Sequence, residues 1–153
     1  MNDPVFRVLR IVRGTTVDGP GFRTSIYLAG CSHHCPGCHN PGSWDEHGGS
    51  PMTLHSILEI VKEEEFDVTL SGGDPLMHPE KTAILAKAIH NLGFKIWLYT
   101  GYTIEEIRNS PRLSLPLPWI HTVVEGPYVE NLKDPDLPFR GSSNQRIIHL
   151  NTD

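Results

Sequence analysis

Apolar positions recur along the chain in two rhythms, one with the period of a strand and one with the period of a helix. Residues 5–12, VFRVLRIV, are β-branched and apolar and predict a strand. A turn follows over 14–21, where Asp18-Gly19-Pro20-Gly21 is strong turn chemistry. Residues 22–29, FRTSIYLA, predict a second strand. Thr53 predicts a helix N-cap, because Leu54, Ile57, Leu58 and Val61 follow at helical spacing. Residues 67–71, DVTLS, predict a short strand that ends in Gly72-Gly73-Asp74-Pro75. Pro79 predicts the start of another helix, with Ile84, Leu85, Ala88, Ile89 and Leu92 on one face and Gly93 at its end. Residues 94–100 predict a strand, and Thr103 caps a short helix from Ile104. Three prolines make Ser110–Pro118 a loop, and residues 119–125 and 144–150 predict the last two strands.

Strands alternating with helices predict an α/β domain, a sheet of mostly parallel strands with helices packed against it. The pattern carries no internal repeat and no linker, so one domain is expected over residues 1–153. A closed eightfold barrel usually needs about 200 residues or more. The expected fold is therefore an incomplete (β/α) barrel, open along one side, with its chemistry on the loops after the strand carboxyl ends. The loops after residues 29 and 71 both leave strands in that direction.

Composition narrows the function. The net charge is −5, from 13 basic and 18 acidic side chains, which argues against a nucleic-acid surface. No apolar stretch approaches the roughly 18–20 residues of a membrane helix. The first residues, MNDPVFRVLRIVRG, lack the pattern of a signal peptide. The 3 cysteines are clustered and odd in number, which argues against a disulfide framework and for a reducing cytoplasm.

Those cysteines, Cys31, Cys35 and Cys38, lie in the run GCSHHCPGCHN. Three thiolates spaced Cys-x-x-x-Cys-x-x-Cys suit a four-iron cluster, which normally takes four, and leave one iron open to a substrate. Gly30, Pro36 and Gly37 allow a tight wrap around such a cube. The alternative is zinc, held by the three cysteines and one of His33, His34 or His39 in a small binding module. Zinc sites more often join two ligand clusters from separate places in the chain. In Ser71-Gly72-Gly73-Asp74-Pro75 the glycines expose backbone to a ligand, and the aspartate suits an ammonium group. An ordinary strand-to-helix turn looks similar. Glu63-Glu64-Glu65 reads as a solvated helix end, and Trp44 and Trp97 read as packing residues.

The cysteine triad and the Gly-Gly-Asp-Pro turn together resemble the radical S-adenosylmethionine family. Asp74 stands where that family usually has glutamate, and Gly37 stands where many members have an aromatic residue. The finer resemblance is to the activases of glycyl-radical enzymes. It rests on Val17-Asp18-Gly19-Pro20-Gly21-Phe22-Arg23-Thr24, on WLYTGYT and on VEGPYVENLKDPDLPFRGSSNQRI, and it covers nearly the whole chain.

The resemblance implies a 4Fe–4S cluster on Cys31, Cys35 and Cys38 whose open iron chelates S-adenosylmethionine. It implies that Gly72, Gly73 and Asp74 position the methionine end, and that Gly37 meets the adenine through its backbone, with Cys38 and His39 beside it. Asn144 and Arg146 are assigned to the adenosine, the carboxylate or the partner; the alternative is a polar turn before the last strand. Reductive cleavage would give a 5′-deoxyadenosyl radical that takes a hydrogen atom from a glycine of a partner enzyme. The implied partner is the catalytic subunit of an anaerobic (class III) ribonucleoside-triphosphate reductase, with pyruvate formate-lyase as the alternative, and a flavodoxin-like protein supplies the electron. An open barrel side would admit the partner's glycine loop.

Overall fold

The protein is described by a computed structural model that covers residues 3–30, 45 and 48–150. Strand β1 (Val5–Thr15) pairs antiparallel with β2 (Arg23–Leu28) on one side and with the edge strand β3 (Ser50–Thr53) on the other. Strand β2 runs parallel to β4 (Asp67–Gly72), β4 to β5 (Ile96–Tyr99), and β5 to β6 (Thr122–Glu125). Strand β7 (Arg146–His149) pairs antiparallel with β6. One seven-stranded sheet results, in the order β3-β1-β2-β4-β5-β6-β7.

Helices α1 (Leu54–Glu64), α2 (Pro79–Asn91) and α3 (Ile104–Arg108) precede β4, β5 and β6 respectively. The expected parallel order therefore holds at the centre, and the flanks depart from it. Parallel neighbours need a crossover of a dozen or more residues. The short turn between β1 and β2 cannot supply one, so those strands form a hairpin.

Local chemistry sets most element ends. Thr53 caps α1, its hydroxyl accepting from the Ser56 amide at 3.1 Å. Pro79 starts α2, and Gly93, at φ 96°, follows its end. Thr103 and Glu106 form a reciprocal capping box on α3. Glu63 and Glu64 lie 3.7 and 3.3 Å from the Arg13 guanidinium, and Glu65 ends α1 in the left-handed conformation. Two segments differ from the sequence reading. The edge strand β3 is unexpected, because Ser50-Pro51-Met52-Thr53 carries a proline and little apolar character. Residues 119–121 precede β6 instead of joining it, since Leu117–Trp119 forms a turn of 3-10 helix.

The two faces of the sheet differ in character. Ile26, Leu70, Leu98 and Val123 lie in register across four strands and face the helices. They are fully buried with Ile57, Val61, Leu85, Ile89 and Ile107 in the core. Their neighbours Ser25, Thr69, Trp97 and Thr122 line the opposite face, also in register.

The turn after β1 folds onto that polar face. Arg23 holds it there and is only 5% exposed. Its Nε donates to Thr69 Oγ1 at 2.9 Å, its Nη2 to the Val68 carbonyl at 3.0 Å, and its Nη1 to the Pro20 carbonyl at 3.2 Å. Thr69 Oγ1 in turn donates to the Asp18 carbonyl at 2.7 Å, and the Tyr27 hydroxyl donates to the Asp18 carboxylate. Burial, and next the hydrogen bond to Asp18, push the Tyr27 hydroxyl above its ordinary pKa. Burial also draws the Arg23 pKa down, opposed by Asp67 and Tyr99, and the group stays charged at neutral pH. Gly19 has φ 132°, and a Cβ there would lie 2.8 Å from Arg23 Cδ, so only glycine lets the turn approach.

Arg23→Met would leave these buried acceptors without donors. An unfolding free energy lower by about 2–4 kcal/mol is expected. Thermal unfolding should register this as a fall of roughly 5–15 °C. An unchanged midpoint would show that Arg23 does not hold the turn.

Candidate active site at the carboxyl ends of the parallel strands

Because β2 and β4 are parallel, the chain leaves both at the same end of the sheet. Leu28 stands opposite Gly72 in the register. The Gly73 amide donates to the Leu28 carbonyl at 2.8 Å, and the Asp74 amide donates to the Gly30 carbonyl at 2.6 Å. Gly72 has φ 112°, and a Cβ there would lie 2.3 Å from both the amide nitrogen and the carbonyl oxygen of Leu28. The glycine turn is thus laid directly on the residues that lead into Cys31. Cys31, Cys35, Gly37, Cys38 and His39 lie outside the described residues, as do His33, His34 and Trp44. Among the described residues no group of three or more His, Cys, Asp or Glu side chains could hold a metal ion.

Asp74 is 3% exposed. Its Oδ1 accepts from the Leu76 amide at 2.9 Å and from Thr100 Oγ1 at 2.9 Å. Its Oδ2 accepts from the Gly101 amide at 2.8 Å and from Thr100 Oγ1 at 3.0 Å. The first of these bonds forms the tight turn that only a short acidic or amide side chain makes. The others tie the β4 end to the β5 end. Tyr99, just before, is half-buried in β5, and burial raises its hydroxyl pKa well above the ordinary value.

The last two strands meet the same end. The Thr100 amide donates to the Val124 carbonyl at 3.0 Å, and the Gly126 amide to the Tyr102 carbonyl at 3.0 Å. Glu125, 1% exposed, accepts from the Ile104 amide at the start of α3 and from Arg146, whose Nε is 2.8 Å and Nη2 3.0 Å away. Arg146 Nη2 also donates to Glu105 at 2.6 Å. Glu125 first, then Glu105, raise the arginine pKa further. The structure thus places the Arg146 guanidinium on two carboxylates. Asn144 lies in the turn before β7, where its Nδ2 donates to the Pro127 carbonyl at 2.8 Å. That bond fixes the orientation of the amide, and its Oδ1 is buried without a hydrogen-bond partner among the described residues.

Sequence reasoning placed Gly72, Gly73, Asp74, Asn144 and Arg146 at the site, and the structure brings all five to the carboxyl end of the central strands. It missed Glu125. A lone carboxylate closing the apolar strand TVVE is the signal that would have found it.

A seven-stranded sheet with a parallel centre thus carries its glycine turn against the strand that leads, in sequence, to three clustered cysteines. Residues 17–148 match the family described as a 4Fe-4S single cluster domain. The chain is 37% identical over 145 residues to the anaerobic ribonucleoside-triphosphate reductase-activating protein of Escherichia coli K12, covering 88% of this chain and 92% of that protein. The protein of that name from Vibrio cholerae is 34% identical, covering 87% and 90%. The one from Enterobacteria phage T4 is 33% identical, covering 86% of each. The chain belongs to the 4Fe-4S single cluster family and, within it, to the anaerobic ribonucleoside-triphosphate reductase-activating proteins. The fold is similar to that of QueE from Escherichia coli, with a TM-score of 0.53 at 17% identity, over 65% of this chain and 53% of that one. The chain thus spans about half the length of QueE.

Gly72→Ala would force a methyl group into the Leu28 backbone at a left-handed φ. A loss of at least about 3 kcal/mol is expected. Thermal unfolding and soluble yield would report it; a well-folded variant with a native midpoint would show that the two strand ends are not in close contact.

Proposed function

We propose that this chain is a radical S-adenosylmethionine activase that generates a glycyl radical on an anaerobic (class III) ribonucleoside-triphosphate reductase. The observation that carries the reading is the pair of backbone bonds from Gly73 to Leu28 and from Asp74 to Gly30. They make the glycine turn and the start of the cysteine loop one site. When bound, a 4Fe–4S cluster would supply the electron for reductive cleavage of S-adenosylmethionine, the chemistry that serves hydrogen-atom abstraction from the partner's glycine. Cys31, Cys35 and Cys38 hold the cluster in this reading, Gly37 meets the adenine through its backbone, and His39 follows the last ligand in sequence. Gly72, Gly73 and Asp74 form the floor under the methionine end.

The residues present fit the cofactor. Asn144 Oδ1 is a buried acceptor with no partner among the described residues at this end of the sheet, and a buried group of this kind calls for one, from water or from a ligand. It suits a donor of the adenosine. Arg146 orients the β7 turn that carries Asn144. The polar face formed by β2, β4, β5 and β6, over which the turn after β1 lies, is the inner wall of an incomplete barrel whose unclosed side admits the partner's glycine loop. Residues 1–153 act as one domain. A flavodoxin-like donor in a reducing cytoplasm supplies the electron. No helix among the described residues is long and apolar enough to cross a membrane. The named relatives favour the ribonucleotide reductase over pyruvate formate-lyase as partner, and the family match favours iron–sulfur over zinc.

Electron paramagnetic resonance of the anaerobically reconstituted, reduced protein tests this. A cluster signal that changes on adding S-adenosylmethionine is expected, followed by a glycyl-radical signal when the reductase subunit is added. Bound zinc without labile sulfide would overturn the reading, and a radical formed only on pyruvate formate-lyase would change the partner. Asn144→Ala should weaken S-adenosylmethionine binding about ten-fold, the worth of one hydrogen bond. Titration of the same spectral change measures it.

A further inference from the structure

The carboxylate of Asp74 has two candidate tasks, and its surroundings separate them. A group that captures a ligand's ammonium must turn an oxygen toward the ligand. Asp74 is instead 3% exposed, and among the described residues three donors already converge on its two oxygens: the Leu76 amide, the Gly101 amide and the Thr100 hydroxyl. Its own amide is bound to Gly30 at 2.6 Å. One residue therefore joins three loops: the start of the cysteine loop after β2, the glycine turn after β4, and the Thr100-Gly101 turn after β5. Through the Thr100 amide and the Val124 carbonyl the chain of bonds reaches β6.

The length of the side chain is part of the device. The bond from the Leu76 amide, two residues on, is the turn that aspartate makes and glutamate does not. The aspartate and the Thr100 hydroxyl thus form a matched pair.

We propose that Asp74 is a positioning residue: paired with Thr100, it locks the ends of β2, β4 and β5 into the arrangement that receives the methionine end of the cofactor, and it is not the acceptor of the cofactor's ammonium. The role toward the cofactor rests on the function proposed above; the clip itself does not.

The test compares the reconstituted full chain with Asp74→Asn, Thr100→Val and the double variant. Two readouts are needed. The first is the thermal midpoint. Each single substitution should lower it by several degrees, and the double variant should be little worse than the poorer single one, because both break the same bond. The second is binding, read from the change in the reduced-cluster spectrum on titration with S-adenosylmethionine and with its analogue lacking the amino group. Asp74→Asn should weaken both compounds by the same factor, within about two-fold, and Thr100→Val should do so too.

A native midpoint in Thr100→Val, together with a loss of ten-fold or more in Asp74→Asn confined to the amino-bearing compound, would overturn the proposal and make Asp74 the ammonium acceptor. Additive falls in the midpoint would also overturn it, because the two side chains would then act separately. If Asp74→Asn does not fold, Thr100→Val alone decides: equal weakening of both compounds supports the clip, and unchanged binding refutes it. A wild-type cluster signal indifferent to S-adenosylmethionine would instead refute the proposed function, and the thermal cycle would still decide whether the clip exists.

Discussion

The structure depends on the parallel contact between β2 and β4 at their carboxyl ends. Two chain segments far apart in sequence are brought so close there that no side chain fits between them, which is why Gly72 must be glycine. The amides of Gly73 and Asp74 then find acceptors on Leu28 and Gly30. Buried backbone groups without partners are costly, so these bonds fix the relative height of the two loops as firmly as the ladder fixes the strands. The cysteine loop inherits its starting point from this contact, and the glycine turn inherits its floor.

Both faces of the sheet serve that arrangement in different ways. The helix side is an ordinary aliphatic core in which Ile26, Leu70, Leu98 and Val123 exclude water. The other side is polar, and the turn after β1 is bound to it by a buried arginine instead of apolar packing. A guanidinium that donates from all three of its nitrogens is directional where a hydrophobic contact is not. Arg23 therefore sets where the turn lies, and the stacked row of Thr69 and Trp97 gives it a surface to lie on.

What could be read from the chain was what local chemistry decides. Thr53, Pro79 and Thr103 mark helix starts because capping involves neighbours within four residues. The alternation of Ile26, Leu70 and Leu98 with Ser25, Thr69 and Trp97 marks the faces because it needs only the pleat. The β1–β2 hairpin was within reach of the sequence, because the turn between the strands is too short for a crossover, whereas the direction of β7 depends on how its long connection packs. Strand β3 was hidden because it exists through pairing with β1 and not through its own composition. The glycine turn was visible as a site, yet the task of Asp74 was not, because Thr100 lies 26 positions away. The pairing of Glu125 with Arg146 was out of reach for the same reason.

The distance along the chain between Cys31 and the turn at Gly72 also orders events during synthesis. Strand β4 leaves the ribosome about forty residues after the cysteines, which at ordinary elongation rates is roughly two to eight seconds. For that interval β2 lacks its parallel neighbour, and the Gly30 carbonyl lacks the amide that will bind it. The three thiols are thus made before the scaffold that holds their loop at its final height. The β2–β4 contact from which the cysteine loop starts is therefore completed only after the whole of that loop has emerged.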